Sequence, residues 1–159
     1  LGDVYKRQKK FRRVVMNFEK YVEKGNLFLK DLAQELGNPD DKEKAGRVLR
    51  TVLHVLRRRL TLEESFDLIS QLPMCIKAVY IDGWKPSPIP DKTIKTVEDF
   101  IHEVLEEDRR AANKDFGDED HAKQVIKAVF RVIKRHVSDG EIQDVKGDLP
   151  KSLKALWED

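Results

Sequence analysis

Basic side chains at helical spacing are the clearest chemical feature of the chain. Residues 45–62 and residues 121–138 contain no aspartate or glutamate. In each segment, basic residues recur three, four or seven positions apart, which places them on one helix face. They are Arg47, Arg50, Arg57 and Arg58 in the first segment and Lys127, Arg131, Lys134 and Arg135 in the second. Such a face can bind the phosphates of a nucleic acid or a nucleotide.

Three interpretations of these two basic faces are open at this point. They are solvated helix surfaces, or they pair with acidic helices of the same fold or of a second subunit, or they bind phosphates. No aromatic residue alternates with the basic ones, and no short recognition-helix motif is apparent. We therefore keep the eight residues as a candidate surface for an anionic ligand or a partner, with nucleic acid as one possible ligand.

Three aromatic residues lie near the ends of two short predicted helices. Tyr80 and Trp84 come at the end of one helix, and Trp157 comes at the end of the other. Side chains of this kind either anchor a short helix to the core or form a patch that faces a partner. They are a second candidate contact surface.

The residue types that most often perform catalysis do not form a recognisable set. None of the four histidines has metal-ligand spacing, and His54 and His136 are predicted on the polar sides of their helices. Cys75 has no basic pair nearby in the sequence, and a single cysteine excludes a Cys-based zinc site. There is no Gly-rich phosphate loop and no GxSxG motif. We expect no enzyme, no metal and no cofactor.

The composition places the chain among globular proteins with a charged surface. Hydrophobic residues make up 40% and charged residues 38% of the sequence. No apolar run approaches the roughly 18–20 residues that cross a bilayer, and no signal peptide is visible. We expect a cytoplasmic protein that does not bind membranes.

The positions of the basic faces are explained by an internal duplication. Residues 45–80 align with residues 122–157 without a gap, at a constant offset of 77, and about a third of the aligned pairs are identical. Conserved character at further apolar pairs, such as Leu53 and Phe130, extends the similarity. We interpret the two segments as copies of one unit.

Each copy reads as a run of helices. Apolar residues recur at helical spacing from Phe18 to Leu36, including Tyr21, Val22, Leu29 and Leu32, which predicts one helix with a weak middle at Gly25. Capping boxes are predicted at Thr61 and at Ser138 and a cap at Thr96. The dipeptides Leu72-Pro73 and Leu149-Pro150 predict that a short final helix begins at the proline in each copy.

The predicted fold class is all-α: two tandem four-helix repeats packed as one helical bundle-like domain. The first repeat spans residues 16–84, a Pro-containing linker spans residues 85–96, and the second repeat spans residues 97–159. Residues 106–120 are the most polar part of the chain, and we expect a frayed helix end and a loop there.

Residues 1–15 are expected to be foreign to the protein. Residues 3–8 read DVYKRQ, which is the translation of a transposon end used to prepare sequencing libraries. Residues 9–15 would then be a translated leader that precedes Met16, and the whole stretch is expected to be disordered. Without its six basic residues and one acid, the net charge falls from +2 to −3. This arm therefore does not argue for nucleic-acid binding.

Several motifs make residues 16–159 similar to one protein family. The marks are Gln71-Leu72-Pro73 with Asp82-Gly83-Trp84, and Gly140-Glu141-Ile142 with Leu149-Pro150. With these motifs the chain resembles the domain-of-unknown-function family 2267 of bacteria and archaea. The resemblance implies a small all-helical cytosolic protein, and it brings no activity, cofactor or catalytic residue.

The sequence thus favours a non-enzymatic helical module that acts through protein contacts, including contacts with a second copy of itself. The alternative is a regulatory or accessory protein that binds an anionic ligand, a nucleic acid or a nucleotide, through the two basic faces.

Overall fold

A computed structural model describes residues 17–159, and every regular element in this range is helical. The elements are α1 (Phe18–Glu35), α2 (Lys42–Arg59), α3 (Leu62–Gln71), α4 (Met74–Ile81), α5 (Val97–Glu107), α6 (Ala112–Asp115), α7 (Glu119–His136), α8 (Asp139–Asp148), α9 (Lys151–Lys154) and a final 3-10 turn (Ala155–Trp157). The all-α prediction is confirmed. The prediction about residues 1–15 lies outside the described range.

Three helices of the second half begin 77 residues after helices of the first half, and two of them also end at the corresponding position. The bounds of α7 are those of α2 plus 77, the bounds of α8 are those of α3 plus 77, and α9 begins 77 residues after α4. Each pair also shares its type of N-cap, since Thr61 precedes α3 and Ser138 precedes α8. The helix positions follow the offset that the sequence suggested, and the duplication itself stays an interpretation.

The two long central helices form the middle of the fold. Helices α2 and α7 pack against each other, and both also contact α1 and α5. Helix α4 and the short α6 pack on α2, the 3-10 turn packs on α7, and α3 packs on α8. The inner faces of α2 and α7 are fully buried along their length, for example at Val52, Leu56, Val129 and Ile133. An apolar stripe of this width drives helix association through the removal of apolar surface from water.

Helix α1 runs unbroken through Gly25, the predicted weak point. A glycine stands at this position because it lies against another helix. A β-carbon at Gly25 would stand 2.8 Å from the Cβ of Cys75, so glycine allows α1 and α4 to approach closely. Its first apolar residues are exposed, with Phe18 at 67% and Val22 at 52%. Full burial begins at Gly25 and continues at Phe28 and Leu32.

The polar segment 106–120 is more ordered than the sequence indicated. Helix α6 lies within it, and both Asp115 and Phe116 are fully buried. Gly117 has a φ of 69°, a left-handed conformation that ends the short helix. The predicted helix end and loop are present, since the preceding helix ends at Glu107, but the short α6 and its burial were not predicted, because Asp115 is held by an arginine of α2, a contact between distant parts of the chain.

Among residues 17–159, no helix has the length and apolar content that crossing a membrane requires.

Candidate functional site

The basic residues of α2 have partners within the fold. Arg47 donates two hydrogen bonds to the buried Asp115, from Nε at 3.0 Å and from Nη2 at 2.9 Å. Arg50 pairs with Asp82 on the surface at 2.6 Å. Arg58 contacts two carboxylates at once, on Asp91 at 2.8 Å and on Glu103 at 3.2 Å; its partners lie in the linker and on α5.

Arg57 differs from the other three arginines of this face. Its Nη1 donates to the backbone carbonyls of Tyr80, at 2.6 Å, and Asp82, at 2.9 Å. It makes no ion pair with any carboxylate of residues 17–159. Burial lowers the pKa of Arg57, which remains charged at neutral pH because the ordinary value is so high.

The basic residues of α7 mostly meet the acids of α1. Arg131 donates to Glu35 at 2.7 Å, and Arg135 contacts both Asp31, at 2.8 Å, and Glu35, at 3.1 Å. The Arg131 hydrogen bond lowers the pKa of Glu35. Lys134 donates instead to the carbonyl of Trp157 at 3.0 Å, and Lys127 makes no ion pair within the described part of the chain.

Most charges of the two predicted basic faces are therefore matched by groups of the same chain. Five of the eight residues contact a carboxylate, and two more donate to backbone carbonyls. The acids come from α1, α5, α6, the linker and Asp82, which directly follows α4. The arrangement corresponds to the second of the three interpretations, internal pairing with acids of the same fold.

The three candidate aromatic residues occupy different environments. Tyr80 and Trp157 are fully buried; the hydroxyl of Tyr80 shares a 2.6 Å hydrogen bond with Ser65, and Trp157 stacks on Phe130 with ring centroids 4.0 Å apart. Trp84 is only half-buried, in edge contact with Tyr80 at 5.6 Å. Trp84 is therefore the candidate that remains accessible to a partner.

A cleft of about 440 Å³ brings Trp84 together with the end of α2. We call it the Trp84 cleft. Its wall comprises residues of α2, of the α2–α3 connection, of the start of α3, of the segment after α4 with the linker, and of α5; they are His54, Arg57, Arg58, Leu60, Leu62, Gly83, Trp84, Lys85, Ser87, Ile89, Asp91 and Glu107. Of the residues predicted from the sequence, the cleft unites Arg57, Arg58 and Trp84. The six other basic candidates, Tyr80 and Trp157 do not line it.

The linker closes this cleft because it is tied to the end of α2. The backbone N–H of Asp91 donates to the carbonyl of Arg58 at 2.8 Å, while the Asp91 carboxylate accepts from the Arg58 side chain. Hydrogen bonding from Thr93, and then from Arg58, lowers the pKa of Asp91 to about 2. Asp91 is thus charged at any physiological pH and holds the linker across the cleft.

His54 was predicted on the polar side of its helix, and this prediction is wrong. His54 is 5% exposed and its Nε2 donates to the carbonyl of Val79 at 2.8 Å. Burial lowers the pKa of His54, so the ring is neutral at pH 7, with Nδ1 3.8 Å from the Glu107 carboxylate. Its role in the cleft is to join α2 to α4.

The rim of the cleft carries exposed apolar side chains that sequence reasoning missed. Ile89 in the wall is 65% exposed, and Phe66 of α3, 6.0 Å from Trp84 between ring centroids, is 60% exposed. A signal for Phe66 does exist in the sequence, because the position 77 residues later is Gln143. Phe66, Ile89 and Trp84 together thus form an apolar rim that the corresponding polar position of α8 does not repeat.

Two pairs of carboxyl groups lie outside the cleft, and each pair includes one with a strongly raised pKa. Burial, and then the neighbouring Glu141, raises the pKa of Glu64 to about 8. Burial, and then the neighbouring Asp115, raises the pKa of Asp108 to about 7. In the second pair burial acts to raise the pKa of Asp115, but hydrogen bonds from Arg47 and Asp108, together with the nearby positive charges, lower it below its usual value.

A family model described as "Uncharacterized conserved protein (DUF2267)" matches residues 25–156. No curated protein matches the chain.

Proposed function

We propose that this chain, which belongs to the DUF2267 family, is a non-enzymatic helical module that binds a protein partner through the Trp84 cleft. The observation that carries this proposal is the meeting of exposed apolar side chains with an arginine whose described partners are backbone carbonyls and not carboxylates. Phe66 and Ile89 expose more than half of their surface beside Trp84, and Arg57 has no carboxylate partner among the described residues.

The chemistry of the cleft defines the partner segment that would fit it. An apolar side chain would cover Trp84 and Phe66, and an adjacent acidic side chain would reach Arg57 and the exposed Lys85. Aromatic residues and arginine are the side chains that most often dominate the binding free energy of protein interfaces. A second copy of the chain is one form that this partner could take.

The non-enzymatic part of the proposal is supported by how the reactive side chains are used. His54, which lines the cleft, joins two helices through its hydrogen bond to Val79. The half-buried Cys75 packs against Gly25 and is not part of the cleft wall. His54 Nδ1 lies 3.8 Å from the Glu107 carboxylate, but its Nε2 is bonded to Val79 and Cys75 lies outside the wall, so the two do not form a nucleophile–base pair.

Internal pairing also weighs against the alternative function, an anionic ligand bound along both basic faces. A phosphate would have to displace carboxylates that already contact Arg47, Arg58, Arg131 and Arg135. Each displaced arginine would exchange one charge-assisted contact for another, and the carboxylate left behind would repel the phosphate. Retention on immobilised DNA or RNA that weakens with salt would support this alternative instead.

The experiment compares two exposed phenylalanines. Tagged wild-type chain, Phe66→Ala and Phe18→Ala are expressed in the organism of origin and purified with their bound proteins. Phe18 is 67% and Phe66 is 60% exposed, so that either truncation should leave the fold intact, but only Phe66 adjoins the cleft.

We expect a protein that co-purifies in a fixed ratio with the wild type and with Phe18→Ala, and that is lost from Phe66→Ala and from Lys85→Glu. Mass analysis identifies it as a second copy or a different chain. A set of bound proteins that is the same for all four chains would contradict the proposal.

A further inference from the structure

Helices α3 and α8 meet with two glutamates facing each other. Glu64 is the third residue of α3 and Glu141 is the third residue of α8, 77 positions later. They are 8% and 6% exposed, so both carboxyl groups are withdrawn from water. In the predicted capping boxes, each glutamate side chain would instead accept a hydrogen bond from the backbone N–H of its own N-cap residue.

The backbone N–H groups of the two N-cap residues donate to other acceptors, so neither glutamate serves as their acceptor. Thr61 donates its backbone N–H to Asp148 Oδ2 at 3.0 Å, and Ser138 donates its backbone N–H to Gln71 Oε1 at 2.8 Å. Each acceptor lies at the end of the opposite helix. The reciprocal half of the predicted capping boxes is therefore absent at both sites, whereas Thr96 and Asp99 form a complete box at α5.

Glu64 and Glu141 are left with unsatisfied oxygens. Oε1 of each is buried and accepts no hydrogen bond from residues 17–159, and no basic side chain of that range forms an ion pair with either. A buried carboxylate with no partner is destabilising by several kcal/mol. Without a cation the two carboxyl groups can share one proton, in line with the raised pKa of Glu64, but Oε1 of each still has no donor and no basic side chain stands at the seam.

The missing positive group has a defined place. Glu64, Asp67 and Glu141 each offer one carboxylate oxygen, and these oxygens all lie within 4.8 Å of one another. Oxygens that bind a common Ca²⁺ at about 2.4 Å can be at most about 4.8 Å apart. The side chain of Asp67 is exposed, which leaves one side open to entry and to water ligands.

We propose that Glu64, Asp67 and Glu141 together bind one hard divalent cation, of the Ca²⁺ or Mg²⁺ type, at the seam between α3 and α8. All three ligands are oxygens, which such cations prefer, and water molecules on the Asp67 side would complete the coordination. The cation would link helices from the two halves of the chain. This site is independent of the Trp84 cleft, and it was invisible in the sequence because helix packing creates it.

The test uses the whole chain freed of metal with a chelator. Calorimetric titrations with CaCl₂ and with MgCl₂ at constant ionic strength measure binding, and thermal unfolding followed by circular dichroism measures its effect on stability. We expect one cation per chain and an unfolding temperature that rises with cation concentration, because the ligand binds only the folded state.

Two variants and a matched control locate the site. Glu141→Gln should abolish binding, and Asp67→Asn should weaken it at least about tenfold, since each removes one charged ligand. Asp144→Asn is the control, because Asp144 is the exposed counterpart of Asp67 on α8 and lies outside the three ligands. If Glu141→Gln does not fold, the cation affinity of Asp67→Asn, a substitution at an exposed side chain, tests the site.

Either of two results would overturn the proposal. The first is no saturable binding of either cation up to about 10 mM, which is weaker than even extracellular calcium modules. The second is binding that Asp67→Asn and Asp144→Asn weaken equally, which would indicate a diffuse acidic surface. In both cases the two glutamates would be a pair that shares a proton.

Discussion

Replacement of Arg47 by methionine tests whether the basic face of α2 holds the fold together. Arg47 donates two hydrogen bonds to Asp115, whose side chain is fully buried. Methionine keeps most of the apolar stem and removes the charge. The carboxylate of Asp115 would then be buried without a counter-charge, which destabilises a protein by about 3 kcal/mol or more.

Arg50→Met is the matched control for this prediction. Arg50 lies one turn further along the same helix and pairs with Asp82 at 2.6 Å, but both of these side chains are about half-exposed or more. An ion pair in that environment contributes at most about 1 kcal/mol. We therefore expect Arg50→Met to change the free energy of unfolding far less than Arg47→Met does.

The assay is urea denaturation at pH 7, followed by circular dichroism. Asp115→Asn in the Arg47→Met background should recover part of the lost stability, because an amide is less costly to bury than an unpaired carboxylate. The reasoning is refuted if Arg47→Met and Arg50→Met have the same small effect. The basic face would then be free surface, available to a ligand.

Further predictions concern stability. The pKa of Asp108 is about 7 in the folded state and near 3.8 in the unfolded chain, so the free energy of unfolding should fall as pH rises from 4 to 7. Asp108→Asn should lessen that fall in denaturant titrations across this range. Gly25→Ala should destabilise by about 1–3 kcal/mol, since the new Cβ meets Cys75 at 2.8 Å. Gly46→Ala, whose Cβ would meet nothing within 4 Å, should instead stabilise α2 by about 0.5–1 kcal/mol in the same urea assay. Trp157→Ala should cost about 3 kcal/mol or more by thermal unfolding, because the indole is buried and stacked on a ring of α7.

Helix positions were predictable from the sequence because they depend on local patterns. Apolar spacing gave α1, α2 and α7, and the residues Thr61, Thr96 and Ser138 do cap the helices that follow them. These signals lie within a few residues of one another, and helix formation responds to them directly.

Contacts between distant segments were not predictable in the same way. Asp115 is buried because Arg47, 68 residues earlier, is positioned to meet it. Glu64 leaves its predicted capping role because Asp148, on α8, takes the N–H of Thr61. In both cases tertiary packing overrides the local preference, and no spacing in a single sequence records it.

The candidate site was predictable in its parts and not as a whole. Arg57, Arg58 and Trp84 were each picked out by charge or aromatic character, from two separate lines of reasoning. They meet because Asp91 fastens the linker to the end of α2. Phe66, which adds the largest exposed apolar surface beside them, was recognisable only by contrast with its polar counterpart Gln143.

Photo-crosslinking tests the proposed role of the Trp84 cleft most directly. A photoreactive phenylalanine analogue is placed at position 66 or, as the control, at position 18, and cells of the organism of origin are irradiated. Both sites are exposed phenylalanines, and only position 66 adjoins Trp84. The account predicts one discrete crosslinked protein from position 66 and none from position 18. No adduct from position 66, or the same adduct from both positions, would contradict it.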